Sequence, residues 1–152
     1  MRLDRLDERI VALLLADSRA SYARIGAAVG LSAPAVKRRV DKLQAGGVIT
    51  GYTVAVDPAA LGWQTEAFVE LYCQGRTSPE QIKKSLVRHP EVVAAYTITG
   101  DADALIHMLA ADTGHLESAL ERIRDEPNVV QTKSVIVLSR LLDRATMPSI
   151  SL

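Results

Sequence analysis

Apolar residues near the start of the chain recur at helical spacing. Leu3, Leu6, Ile10, Leu13 and Leu14 form one stripe and predict a helix over about Leu3–Ala16. Asp4, Asp7 and Glu8 fall in its first turns, where the helix dipole favours acids, and Asp17-Ser18 reads as its end. Ile25 and Val29 stand four apart and predict a short second helix, which Gly30 closes. Leu31 is a buried-type residue in the turn that follows. Ser32 is suited to N-cap a third helix, and Pro34 suits its first turn. Val36, Val40 and Leu43 repeat as that helix's apolar face, and Gly46-Gly47 ends it. Two helices joined by a short turn containing Gly form a helix-turn-helix, with the first helix as its support.

The period then changes. Val48–Asp57 is rich in β-branched residues and predicts a strand acting as a hinge, and Pro58–Gly62 reads as a linker. Beyond it the chain repeats itself. Strand Thr65–Tyr72, helix Pro79–Arg88 and Pro90-Glu91-Val92-Val93 lead into a strand through Thr99. Strand Ala104–Ala110, helix Thr113–Arg124 and Pro127-Asn128-Val129-Val130 lead into a strand through Leu141. The two Pro-x-Val-Val signals lie 37 residues apart. Strand, helix, strand, twice over, is the βαββαβ or ferredoxin-like layout, an antiparallel sheet with helices on one face. Val135 to Leu138 are apolar at consecutive positions, which predicts burial on both faces and hence a homodimer packed sheet to sheet. The expected fold is α+β. A helix-turn-helix, winged-helix-like domain spans 1–47, a hinge and linker 48–62, and a ferredoxin-like domain 63–152.

Composition refines this picture in three ways. Apolar content of 48% and charged content of 24% over 152 residues suit a globular protein of one or two small domains. Net charge is zero, but residues 1–62 carry nine Lys/Arg against six Asp/Glu, and residues 63–152 carry nine against twelve. A basic N-terminal half joined to an acidic half fits a nucleic-acid binder better than the total suggests. The lone Cys73, in an apolar run, excludes an internal disulfide and a Cys-based metal site; His89, His107 and His115 show no ligand spacing. No apolar run reaches the length of a membrane span, and the N-terminus lacks an apolar signal core, so a cytoplasmic location is expected.

Lys37, Arg38, Arg39 and Lys42 share the third helix with a single acid, Asp41. With Val36 turned inward, Ala35, Arg38 and Lys42 lie on the outer arc and Lys37 at its edge. Ser32 sits at the helix start, where recognition helices meet base edges. Ser32, Ala35 and Arg38 are therefore read as base contacts, and Lys37 and Lys42 as phosphate contacts, on double-stranded DNA. Arg39 flanks the apolar stripe. It either joins the DNA contacts or pairs with an acid on the first helix, and the sequence leaves both open. No base–nucleophile pair, carboxylate pair or metal cluster marks an enzyme.

Taken together these residues resemble the Lrp/AsnC family of bacterial and archaeal transcription regulators. The likeness runs in order through Leu3-Asp4, Asp7 and Ile10; Gly30-Leu31-Ser32; Val36-Lys37-Arg38-Arg39-Val40; Leu43; Gly47-Val48-Ile49; Gly51-Tyr52; Leu61-Gly62; Val92; and Thr99-Gly100-Asp101-x-Asp103. The resemblance implies an operator-binding helix-turn-helix domain and a βαββαβ domain that dimerises through its sheet. It implies further assembly, often to an octamer, and a nucleoid-associated protein. It also implies an amino acid or related effector bound near the Gly-Asp-x-Asp loop, with no other cofactor.

Gly100-Asp101-Ala102-Asp103 is expected to join the two inner strands. Backbone N–H groups there suit a ligand carboxylate, and Asp101 or Asp103 its ammonium; a plain turn explains the same residues. Family members often carry a large residue where Ala102 and Ala104 stand, which implies either a wider pocket or lost effector binding. An architectural DNA-binding protein without an effector is therefore the alternative function.

Overall fold

The computed structural model describes residues 2–142, so the end of the 63–152 domain beyond Leu142 lies outside the described residues. The chain forms two compact units, one up to Ala55 and one over Val56–Leu141. The boundary falls inside the stretch read as hinge and linker.

The first unit holds three helices, α1 (Arg5–Ala16), α2 (Tyr22–Val29) and α3 (Ala33–Ala45). α1 starts later than the apolar stripe suggested, because Asp4 is its N-cap and forms a capping box with Asp7. Ile10 and Leu14 of α1 bury against Ile25 and Val29 of α2 and against Val36, Val40 and Leu43 of α3. Non-directional burial of these side chains holds the three helices together. Gly26 in α2 is fixed by space: a Cβ there would meet the Leu31 carbonyl oxygen at 2.3 Å. The turn can close against α2 only because that side chain is missing.

Val48–Asp57 is not a strand. It runs without a ladder partner among the described residues, and Tyr52, Val54 and Val56 are exposed. Its β propensity has no neighbouring strand to act on, so the backbone forms no sheet. Pro58–Leu61 forms one turn of 3₁₀ helix, with Asp57 as its N-cap.

The second unit contains β1 (Thr65–Cys73), α4 (Pro79–Leu86), β2 (Val92–Thr97), β3 (Ala104–Ala110), α5 (Thr113–Arg124) and β4 (Val129–Ile136). The four strands form one antiparallel sheet in the order β2-β3-β1-β4. Alternation decides the faces. Ala67, Val69 and Leu71 of β1 and Ala104, Ile106, Met108 and Ala110 of β3 bury against Ile82 and Leu86 of α4 and Leu116, Ala119, Leu120 and Ile123 of α5.

The internal repeat is also visible in the ion pairs. Glu91, just before β2, takes His115 and Arg122 from α5, while Glu126, just before β4, takes Arg88 and His89 from the turn after α4. Each half of the repeat thus holds a buried carboxylate that side chains of the other half pair with, although both contacts to Glu91 fall on Oε1 and its buried Oε2 has no hydrogen-bond partner among the described residues.

The burial expected on both faces of β4 is not supplied within the single chain. Val135, Ile136 and Leu138 are exposed, because the described residues supply a helix layer on one face only and β4 is an edge strand. The opposite face carries Phe68 stacked on His107 at 4.7 Å, with His107 bonded to Glu66 at 2.7 Å. Lys133 lies 4.9 Å from the centre of the Tyr72 ring, and Tyr72 donates to Glu70. No described helix is long and apolar enough to cross a membrane.

Candidate nucleic-acid interface and effector loop

The helix-turn-helix presents α3 by its inward residues. Val36, Val40 and Leu43 are buried. That leaves Ser32, Lys37, Arg38 and Lys42 exposed and Ala35 half-buried. Ser32 has the extended backbone of an N-cap, and its carbonyl accepts the N–H groups of Ala35 and Val36. Its hydroxyl makes no capping bond, so the side chain is available at the helix start. Ser21 does cap α2, accepting from the Arg24 backbone N–H at 3.2 Å.

The four cations of α3 are not equivalent. Lys37 pairs with Asp41 one turn away at 2.7 Å, and that hydrogen bond, then the charge of Asp41, raises its pKa. Both partners are well exposed, so a phosphate can replace the carboxylate at small cost. Arg38 and Lys42, one turn apart, have no ion-pair partner among the described residues. Arg39 points the other way: its Nη1 donates to Asp4 Oδ2 at 2.7 Å and to Asp7 Oδ1 at 2.6 Å. Of the two readings of Arg39, the structure shows the pair with the first helix. The carboxyl of Asp4 is held below its ordinary value, first by the Asp7 N–H that it accepts and then by Arg39.

The effector loop differs from expectation in two respects. It joins the edge strand β2 to the inner strand β3, whereas the inner strands are β1 and β3. Asp103 is also already engaged. Its carboxylate accepts the Cys73 N–H at 2.7 Å and its own N–H donates to the Leu71 carbonyl. It thereby closes the end of β1 where the ladder to β4 shifts register. Burial, and then the neighbouring Asp103, raise the Cys73 thiol. Ala102 and Ala104 are buried. Gly100 and Asp101 are exposed, and Gly100 has φ +120°, a backbone that L side chains rarely adopt. Gly26, tied to Leu31, and Asp4, tied to Arg39, are functional supports that sequence periodicity does not mark.

The family model described as the AsnC-type helix-turn-helix domain matches residues 3–44. The model described as the Lrp/AsnC ligand binding domain matches residues 66–147, more than half of the chain. The chain belongs to the Lrp/AsnC family. It is an Lrp/AsnC-type transcriptional regulator, one of a family of non-enzymatic DNA-binding proteins.

Among Lrp/AsnC relatives, the HTH-type transcriptional regulator Rv2324 of Mycobacterium tuberculosis is 54% identical over 143 residues, covering 94% of this chain and 97% of that protein. LrpA of the same organism is 33% identical over 147 residues, covering 96% and 97%. A solved structure of the M. tuberculosis feast or famine regulatory protein Rv3291c, complexed with L-methionine, is 32% identical, with a TM-score of 0.86 and coverage of 93% of this chain and 96% of that one.

Proposed function

We propose that this regulator binds its operator through α3 and that an amino acid or related small molecule, bound at the Gly100–Asp103 loop, shifts its assembly or its DNA affinity. In this reading Ser32, Ala35 and Arg38 meet base edges, while Lys37 and Lys42 meet phosphates. The observation that carries the DNA half is the outward, unpaired Arg38–Lys42 arc on a helix whose other face is buried. For the effector half, the support is the match to a ligand binding domain and the methionine complex of a relative.

Within the loop, Gly100 and Asp101 are the residues free to act. Gly100 offers backbone N–H geometry for a carboxylate, and Asp101 a carboxylate for an ammonium. The exposed sheet face with Phe68, His107, Tyr96 and Val135 supports a sheet-to-sheet homodimer, on which higher assemblies such as an octamer are built. A protein that acts on chromosomal DNA works in the cytoplasm, at the nucleoid.

The second reading is an architectural DNA-binding protein with no effector. The engagement of Asp103 by Cys73 and the burial of Ala102 favour it, because they leave less of the loop for a ligand. A thermal-shift screen against the twenty amino acids separates the two, since a ligand of the folded state raises its stability. The effector reading expects at least one amino acid to raise the melting temperature of the parent and to lose that effect in Asp101→Ala. A screen without a single shift leaves the architectural protein.

A further inference from the structure

α1 holds both helices of the DNA-binding pair by polar contacts as well as by its apolar face. Arg9 donates to the Ala28 carbonyl in the last turn of α2 at 2.9 Å. In the first turn of α1, just before Arg9, Asp4 and Asp7 together take Arg39 of α3. Those two carboxylates are themselves locked. Asp7 N–H donates to Asp4 Oδ1 at 2.8 Å and Asp4 N–H donates to Asp7 Oδ2 at 3.4 Å, as the capping box requires. They stand at the positive end of the α1 dipole, where acidic side chains are favoured. One guanidinium nitrogen of α3 is therefore fixed to two anchored acceptors more than thirty residues away in sequence.

The apolar core beneath does not fix direction in this way. Ile10 and Leu14 touch α3 through aliphatic side chains, and such contacts tolerate rotation and sliding. A charge-assisted bond is directional. Arg39 follows Arg38, and adjacent helical residues are about 100° apart around the axis. Fixing Arg39 on α1 thus fixes the direction in which Arg38 leaves the helix, and with it Ala35 and Ser32.

We propose that Arg39 is a positioning residue for sequence readout: clamped by Asp4 and Asp7, it sets the rotation of α3 and hence which bases Arg38 meets, without touching DNA itself. The inference rests on the reading of α3 as the recognition helix. It makes Arg39 a determinant of specificity, where a phosphate contact would make it a determinant of affinity for all DNA.

The test uses the full-length protein and two duplexes of equal length, one selected by the parent from a random library and one of random sequence. Binding is followed by fluorescence anisotropy across a salt series, for Arg39→Met, Arg39→Lys, Asp7→Asn and Arg38→Ala. Arg39→Met is expected to weaken the selected duplex roughly tenfold, the scale of one misread base pair, and to leave the random duplex unchanged. The slope of log K against log salt stays as in the parent, because no phosphate contact is lost. Arg39→Lys recovers part of the selectivity. Asp7→Asn loses selectivity like Arg39→Met, although it leaves the arginine in place.

A slope shallower by about 0.9 with equal weakening on both duplexes makes Arg39 a phosphate contact and overturns the proposal. Equal weakening with the parent slope also overturns it, because that is loss of folded protein. Tighter binding of Asp7→Asn to both duplexes does the same, because a freed Arg39 has then reached the DNA. Arg38→Ala checks the underlying reading separately: if it binds the selected duplex like the parent, α3 has the wrong face on the DNA, whatever Arg39 does.

Discussion

At the residue scale, function here depends on a few side chains whose value is set by what they touch. Gly26 has no side chain, and the space it leaves is filled by the Leu31 carbonyl. Gly26→Ala drives a Cβ against that backbone oxygen and is expected to destabilise the N-terminal unit by about 1–3 kcal/mol, the usual cost of overpacking. Urea denaturation of parent and variant measures this, and an unchanged midpoint disproves the close approach. Glu91 offers a second check. Burial raises its pKa, but the hydrogen bonds from its own N–H, from His115 and from Arg122 outweigh that and hold it below the ordinary 4.5. A lowered folded-state value means that the unfolded chain takes up the proton first on acidification. The stabilisation is complete above the unfolded value and is lost as the pH falls through the folded one. Glu91→Gln should therefore be less stable than the parent near neutrality and lose less on going to acid. Denaturant titrations from about pH 7 to about pH 3 read that slope directly. Arg39 and Arg38 belong to this scale too. They look alike in sequence, and only their partners separate a clamp from a free cation.

At the element scale, the strongest contrast is between α1 to α3 and the segment after them. The apolar stripes of the three helices are local patterns, and packing merely confirms them. Val48–Asp57 carries an equally clear β-branched signal yet has no strand beside it, so propensity alone cannot build a ladder. The β2–β3 loop shows the converse. Gly100 and Asp101 read as a turn or a site, but Asp103 turns out to serve the sheet by accepting the Cys73 N–H where β1 and β4 slip register. Asp103→Ala leaves that N–H without its partner and is expected to cost about 1–2 kcal/mol in the C-terminal unit, with no ligand present. Calorimetric melting of the unliganded variant decides the point. A parent-like melting temperature, with ligand response gone, would return Asp103 to the effector site.

At the scale of the molecule, each unit has its own core, and the C-terminal unit also has a sheet face that no described helix of that unit covers. Phe68, His107, Tyr96 and Val135 share that face, with Tyr96 and Val135 exposed, and contiguous apolar exposure of this kind marks an interaction surface. The fragment 56–152 is therefore expected to fold alone and to sediment as a dimer or larger. A well-folded monomer at micromolar concentration would reject the sheet-to-sheet dimer. Much of this architecture was legible in the sequence, because helical stripes, caps and the two Pro-x-Val-Val signals report interactions between residues a few positions apart. α5 and β3 lie where periodicity placed them, and the repeat and the helix-turn-helix follow from local spacing alone. Tertiary structure decided what depends on distant partners. It tied Arg39 to Asp4 and Asp7, committed Asp103 to Cys73, placed the effector loop between an edge and an inner strand, and left Val48–Asp57 without a sheet. The first two join residues that only the folded chain brings within hydrogen-bond range, the last two depend on which strands lie side by side, and no local period carries that information.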